Sequence, residues 1–108
     1  MDEVVFDQIS LQALENVENK LTSLGLASSI PGIFWLPISN EFLTETQKEH
    51  AKDCGPYMLA VEITDNSLIL ETLVRASNRL HCNCMEPALP ALLEHMTDYL
   101  NSLLTNKN

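Results

Sequence analysis

Basic residues, glycine and aromatic side chains are all scarce in this chain, and each scarcity removes a class of function. Six Lys and Arg stand against fifteen Asp and Glu in 108 residues, a net charge of -9. That charge repels phosphate backbones, and Lys20, Lys48, Lys52, Arg75, Arg79 and Lys107 are scattered along the sequence. Neither a nucleic acid nor an anionic membrane is therefore expected as a partner. The three glycines, Gly25, Gly32 and Gly55, are never clustered, so no loop can cradle a phosphate. No Walker, dinucleotide-binding, zincin or nucleophile-elbow motif occurs. With aromatics at 6%, aliphatic side chains must fill the core, and the lone Trp35 is expected to join them there. No apolar run reaches the length of a membrane span. The opening "MDEVVFDQ" carries acids where a signal peptide needs positive charge. The three cysteines are an odd number, which fits a reducing compartment better than a disulfide framework. Together these features lead to the expectation of a cytoplasmic protein.

What is present reads as one small α+β domain over residues 1–108. Leu11, Leu14, Val17, Leu21 and Leu24 recur at helical spacing from Ser10 onward, and Gly25 supplies the stop. "IPGIFWLPI" is short, apolar and bounded by prolines, which predicts a strand or extended segment at 33–36, with proline confined to a sheet edge or to strand ends. Thr44 and Gln47 have capping-box spacing and open a second, mostly polar helix that Gly55-Pro56 ends. "YMLAVEIT" and "SLILETLVRA" flank Asp65-Asn66, a hairpin turn that sets Ile63 opposite Leu68, Val61 opposite Leu70, Leu59 opposite Thr72 and Tyr57 opposite Val74. A further strand is expected at 80–85, and Pro90 opens a final helix with Leu89, Leu92, Leu93, Met96, Leu100, Leu103 and Leu104 as its apolar stripe. The expected order is α-β-α-β-β-β-α, with a three- to four-stranded, mostly antiparallel sheet and its helices mainly on one face.

The densest group of metal donors is "LHCNCMEP". A three-residue loop at 77–79 sets Val74 opposite Cys82 and Thr72 opposite Cys84, so both cysteines face the helices while His81, Asn83 and Met85 face away. His50 and Cys54 are four apart on the second helix and share a face. If that helix lies over the strand, His50, Cys54, Cys82 and Cys84 converge as a Cys₃His zinc site. A soft-metal variant would add His81 or Met85. The plainer expectation is that the cysteines serve as small buried hydrophobes, because C-x-C on a straight strand lacks the bend of a zinc knuckle. A nucleophilic cysteine is disfavoured: Cys54 sits at the negative end of its helix. Glu94, His95 and Asp98 read as a solvated helix face rather than acid–base machinery. No residue is assigned a catalytic or cofactor-binding role.

The second sheet face mixes Met58, Ala60, Ile69, Leu73 and Met85 with charged neighbours, which suggests a contact surface. The chain thus reads first as a non-enzymatic protein-interaction module whose partner is a protein, such as a second copy in a homodimer. The alternative is a metal-binding protein. In size and acidity the chain is similar to the dimeric secretion chaperones; no motif carries the likeness and the element order differs.

Overall fold

The structure, a computed structural model, describes residues 3–78 and 81–105. The elements run β1 (Glu3–Phe6), α1 (Leu11–Ser23), β2 (Ile33–Pro37), a 3-10 turn (Asn40–Phe42), α2 (Glu45–Cys54), β3 (Tyr57–Ile63), β4 (Leu68–Glu71), β5 (Arg75–Ala76) and α3 (Pro90–Thr105). This is the expected α+β class, but the sheet has five strands rather than three or four, all paired antiparallel. No helix among the described residues is long and apolar enough to cross a membrane.

Local chemistry places the helices. Ser10 caps α1 by accepting a hydrogen bond from the Ala13 backbone N–H, and Gly25 follows its end at φ 78°, a conformation that glycine adopts without a Cβ clash. Thr44 and Gln47 form the reciprocal capping box that starts α2. Gly55 ends that helix where a Cβ would lie 2.7 Å from the Ala51 carbonyl oxygen, so the chain needs glycine for close approach. Leu14, Val17 and Leu21 of α1 and Leu92, Met96 and Leu100 of α3 are buried, and the two helices pack against one another. Leu11, Leu24 and Leu89, drawn into these stripes by spacing alone, are exposed.

The sheet order is β1-β4-β3-β2, with β2 at the edge as its flanking prolines require. Strand β1, which the sequence reading leaves without an element, pairs with β4 through Val4 opposite Leu70 and Phe6 opposite Leu68. The hairpin has the expected register at Val61–Leu70 and Ile63–Leu68. Beyond it the expected pairs Leu59–Thr72 and Tyr57–Val74 do not form; Tyr57 pairs with Ala76 and Met58 with Arg75. Three residue steps along β3, from Met58 to Val61, are thus matched by five from Leu70 to Arg75. The extra residues bulge out of the ladder and bind the segment before α3 instead. The Val74 N–H donates to the Glu86 carbonyl at 2.9 Å and the Ala88 N–H to the Thr72 carbonyl at 2.7 Å, bracketing a bridge of Leu73 with Pro87.

This bulge displaces the strand expected at 80–85. Residues 81–85 form a loop, with a turn closed by the Met85 N–H on the Cys82 carbonyl at 3.0 Å; Leu80 and Arg79 lie outside the described residues. The proposed pairing of Cys82 with Val74 and of Cys84 with Thr72 is therefore replaced by the pairing four residues further on.

Phe34, Leu36, Tyr57, Leu59, Val61, Leu68 and Leu70 alternate onto one face and join the buried residues of all three helices in a single core. Among the described residues, none from a helix lines the hollow on the opposite face. Trp35 lies on that face, half-buried, because its neighbours Phe34 and Leu36 take the two inward positions of β2. This corrects the expectation that the only tryptophan fills the core.

Candidate metal centre

Helix α2 turns one narrow face inward. Gln47, His50, Ala51 and Cys54 follow the i, i+3, i+4, i+7 rule, so they line one side of three turns. Gln47 and Cys54 are buried, and His50 and Ala51 are half-buried. Opposite this face lies the loop carrying Cys82, half-buried, and Cys84, fully buried. The donor atoms of His50, Cys54, Cys82 and Cys84 all lie within 4.8 Å of one another. The helix pair and the loop pair are thus brought together, as the metal-binding alternative requires, although a loop rather than a strand delivers the second pair. The objection to C-x-C therefore falls away: the backbone bends at Cys82–Met85, as a knuckle must.

The Cys82 sulfur is the focus of the group. It stands 3.1 Å from His50 Nδ1 and 3.7 Å from the Cys54 sulfur. The backbone N–H and the thiol of Cys84 both point at it, and with smaller help from His50 and Cys54 they hold it down to about 6, against the opposing effect of burial. Cys54 shifts the other way, up to about 11, because burial disfavours its thiolate and the thiols of Cys82 and Cys84 add to that effect. One sulfur is thereby the preferred anion and another the preferred thiol. Tyr57, whose hydroxyl lies beside Cys84, also titrates above its ordinary range, chiefly through burial.

A tetrahedral Zn²⁺ with Zn–S of about 2.3 Å and Zn–N of about 2.0 Å implies sulfur–sulfur edges of about 3.8 Å and nitrogen–sulfur edges of about 3.5 Å. The Cys54–Cys82 separation of 3.7 Å already has that length. The His50–Cys82 separation of 3.1 Å is a hydrogen-bond spacing that would open by about 0.4 Å. These two edges are near tetrahedral length, and all the donor atoms lie within 4.8 Å of one another.

An outer layer holds both halves in place. The Gln47 amide donates from Nε2 to the Cys84 carbonyl at 3.0 Å, and its Oε1 accepts from the Thr44 N–H at 2.9 Å. The Tyr57 hydroxyl donates to the Gln47 carbonyl at 3.0 Å. Asn78 clamps the end of α2, donating from its side chain to the Gly55 carbonyl at 2.7 Å and from its backbone to the Cys54 carbonyl at 3.1 Å. Thr44 Oγ1 donates to Glu86 Oε1 at 2.6 Å while accepting from the Gln47 N–H. Replacing Thr44 with valine removes both bonds and is expected to lower stability by about 1–2 kcal/mol in denaturant titration, in the upper range for a helix cap. Gln47 is the residue the sequence reading undervalued: it appears there only as a capping partner. Its position three before His50 and seven before Cys54 was the available signal.

The remaining donors do not join. His81 is exposed, and Met85 lines a hollow on the open sheet face with Met58, Ala60, Trp35 and Arg75. Ile69 and Leu73 are half-buried, and Leu73 sits in the bridge with Pro87. Glu94, His95 and Asp98 are exposed on α3, where His95 stacks on Phe42 with ring centroids 4.7 Å apart. Comparison of the chain with protein-family models, curated proteins and solved structures finds no match.

Proposed function

We propose that this chain is a metal-binding α+β domain in which His50, Cys54, Cys82 and Cys84 hold one Zn²⁺ as a structural clip between α2 and the loop before α3. The observation that carries this reading is the convergence of four soft-to-borderline donors, from segments nearly thirty residues apart, within 4.8 Å. Four protein ligands close the coordination sphere of zinc and leave no position for a substrate, which favours a structural over a catalytic ion. Three thiolates and an imidazole at tetrahedral spacing suit zinc better than the oxygen-seeking cations. Elemental analysis of protein purified without a histidine tag tests the proposal. One equivalent of zinc per chain is expected; a chain that also fails to take up added zinc after reduction would refute it.

The pH dependence follows from the thiols. At pH 7.5 Cys82, held near 6, is already a thiolate, whereas Cys54, near 11, must lose its proton to bind. Binding through three thiolates therefore releases the Cys54 proton together with any proton still on the other thiols, and affinity rises with pH. Calorimetric titration in buffers of different ionisation enthalpy should show that release. Acidification below pH 6 should expel the metal as protons compete for Cys82 as well.

A second reading concerns the uncovered sheet face, and the two are compatible. Ile30, Ile33, Trp35, Met58 and Met85 line its hollow, Val5 and Ile30 are more than half exposed, and Arg75 Nε is buried there without a hydrogen-bond partner among the described residues. These features support a non-enzymatic role through protein contact, with a second copy as partner. Light scattering on the eluting protein should give a dimer mass that Met58→Glu halves. A wild-type monomer at high concentration would dismiss the dimer.

A further inference from the structure

The same cluster carries a second chemistry, one that follows from how unequally its sulfurs are placed. Cys54 and Cys84 are buried to 2% and 0% exposure, while Cys82 is half-buried on a loop that belongs to no strand. An oxidant small enough to enter therefore meets Cys82 first. The Cys54 sulfur stands 3.7 Å from it, on a different element of the fold. We infer that Cys82 is oxidised by hydroperoxides and that Cys54 captures the product as a Cys54–Cys82 disulfide, a reaction that a bound metal suppresses. The suppression rests on the zinc reading above; the disulfide does not.

The steps balance. The Cys82 sulfur attacks one peroxide oxygen, the O–O bond breaks, and the leaving hydroxide takes up the thiol proton as water, leaving a sulfenic acid. The Cys54 sulfur then attacks the Cys82 sulfur. The S–S bond forms, the S–O bond breaks, and the departing hydroxyl leaves with the Cys54 proton as a second water. Two thiols lose two electrons in total, and one peroxide accepts them. His50 Nδ1, 3.1 Å from the Cys82 sulfur, is placed to relay the proton in the first step.

Closure from 3.7 Å to a bond of about 2.05 Å requires one side to move. The loop can provide the movement. Its ties to other elements are the Cys84 carbonyl, bound by Gln47, and the Glu86 carbonyl, bound by Val74; the Cys82 carbonyl is held only within the loop, by the Met85 N–H, and its side chain lies upstream of both outside ties. Cys84 is a poorer partner for the same reason, because its backbone is pinned and a C-x-C bridge closes a small, strained ring. Metal and disulfide exclude one another. Zinc keeps two bound sulfurs about 3.8 Å apart, and a disulfide removes two of the four ligands.

The test uses the full chain, reduced, stripped with chelator and freed of reductant, then treated with stoichiometric hydrogen peroxide. Thiol counting should show two of three thiols lost, and fragmentation of the linked peptides should join Cys54 to Cys82. Zinc-loaded protein should react at least about tenfold more slowly, as expected when the metal occupies the nucleophilic sulfur. Cys84→Ser should still form the bridge although it lacks a zinc ligand. Cys54→Ser should stop at an oxygen adduct on Cys82. Retention of all three thiols in the metal-free wild type, or a Cys82–Cys84 link, would overturn the inference. Equal rates with and without zinc would overturn the suppression. Failure to bind zinc with a bridge that still forms would refute the zinc reading alone.

Discussion

Cys82→Ser is expected to weaken zinc binding by at least about a hundredfold, more than loss of an outer-shell partner usually does. The residue removed is the sulfur at the centre of the group, 3.1 Å from His50 Nδ1 and 3.7 Å from Cys54. Serine cannot supply a thiolate at neutral pH, so the site falls to three ligands. At a fixed excess of metal, a hundredfold rise in Kd removes about 2.7 kcal/mol of metal-linked stability. For a domain of this size that corresponds to a fall in Tm of roughly 10 °C or more. The metal-free proteins make the comparison specific. Cys82 is half-buried in a loop, so wild type and variant should melt close together once zinc is removed. If the gap between them is the same with and without chelator, the residue matters for packing and not for metal. Competition against a chromophoric chelator measures the affinity, and differential scanning fluorimetry with and without zinc measures the linkage.

Gln47→Leu is expected to destabilise the metal-free domain by about 2–4 kcal/mol, since one buried and one half-buried backbone group lose their partners at once. Gln47 is 1% exposed, and its amide satisfies the Thr44 N–H at one end and the Cys84 carbonyl at the other. Leucine is one atom shorter and brings no polar atom, so the half-buried Thr44 N–H and the buried Cys84 carbonyl both lose their side-chain partner. The capping box is lost, and with it the tie that sets the height of Cys84 over α2. Zinc affinity should therefore fall as well, by about 10–100-fold, the usual range for an outer-shell contact. Gln47→Glu separates these effects. A carboxylate still accepts from the Thr44 N–H but turns an oxygen toward the Cys84 carbonyl, where no proton mediates. Its protonated form restores a donor. In the metal-free state this variant should gain stability relative to wild type as pH falls, since protonation relieves the clash of acceptors. Urea titrations at several pH values would show it, and a pH-independent difference would mean that the amide donor is not what positions the loop.

Much of the local structure was legible from residue order. The cap at Thr44, the stops at Gly25 and at Gly55-Pro56 and the hairpin register at Val61–Leu70 follow from a side-chain acceptor for backbone donors, residues that break a helix and side-chain alternation. All of these act over a few residues. The strand Glu3–Phe6 was not legible, because four residues with one acid, two valines and a phenylalanine offer too little pattern until β4 presents an edge to pair with. The bulge at 72–74 was hidden for a similar reason. Alternation survives an insertion of two residues, so "ETLVRA" reads as continuous strand whether or not the ladder is interrupted.

The candidate site divides in the same way. Helical spacing alone puts His50 and Cys54 on one face, and alternation sets the half-buried Cys82 and buried Cys84 apart from the exposed His81 and Asn83, while Met85 lines the open sheet face. That parity is local, so it holds in the loop that replaces the expected strand. The meeting of the two pairs is not local. It depends on the bulge, which lends Thr72 and Val74 to residues 86–88 and so frees the preceding loop to fold over α2, and on Gln47, which holds that loop by the Cys84 carbonyl. Periodicity specifies which side of an element a donor occupies; only the packed core specifies which other element lies within 4.8 Å of it.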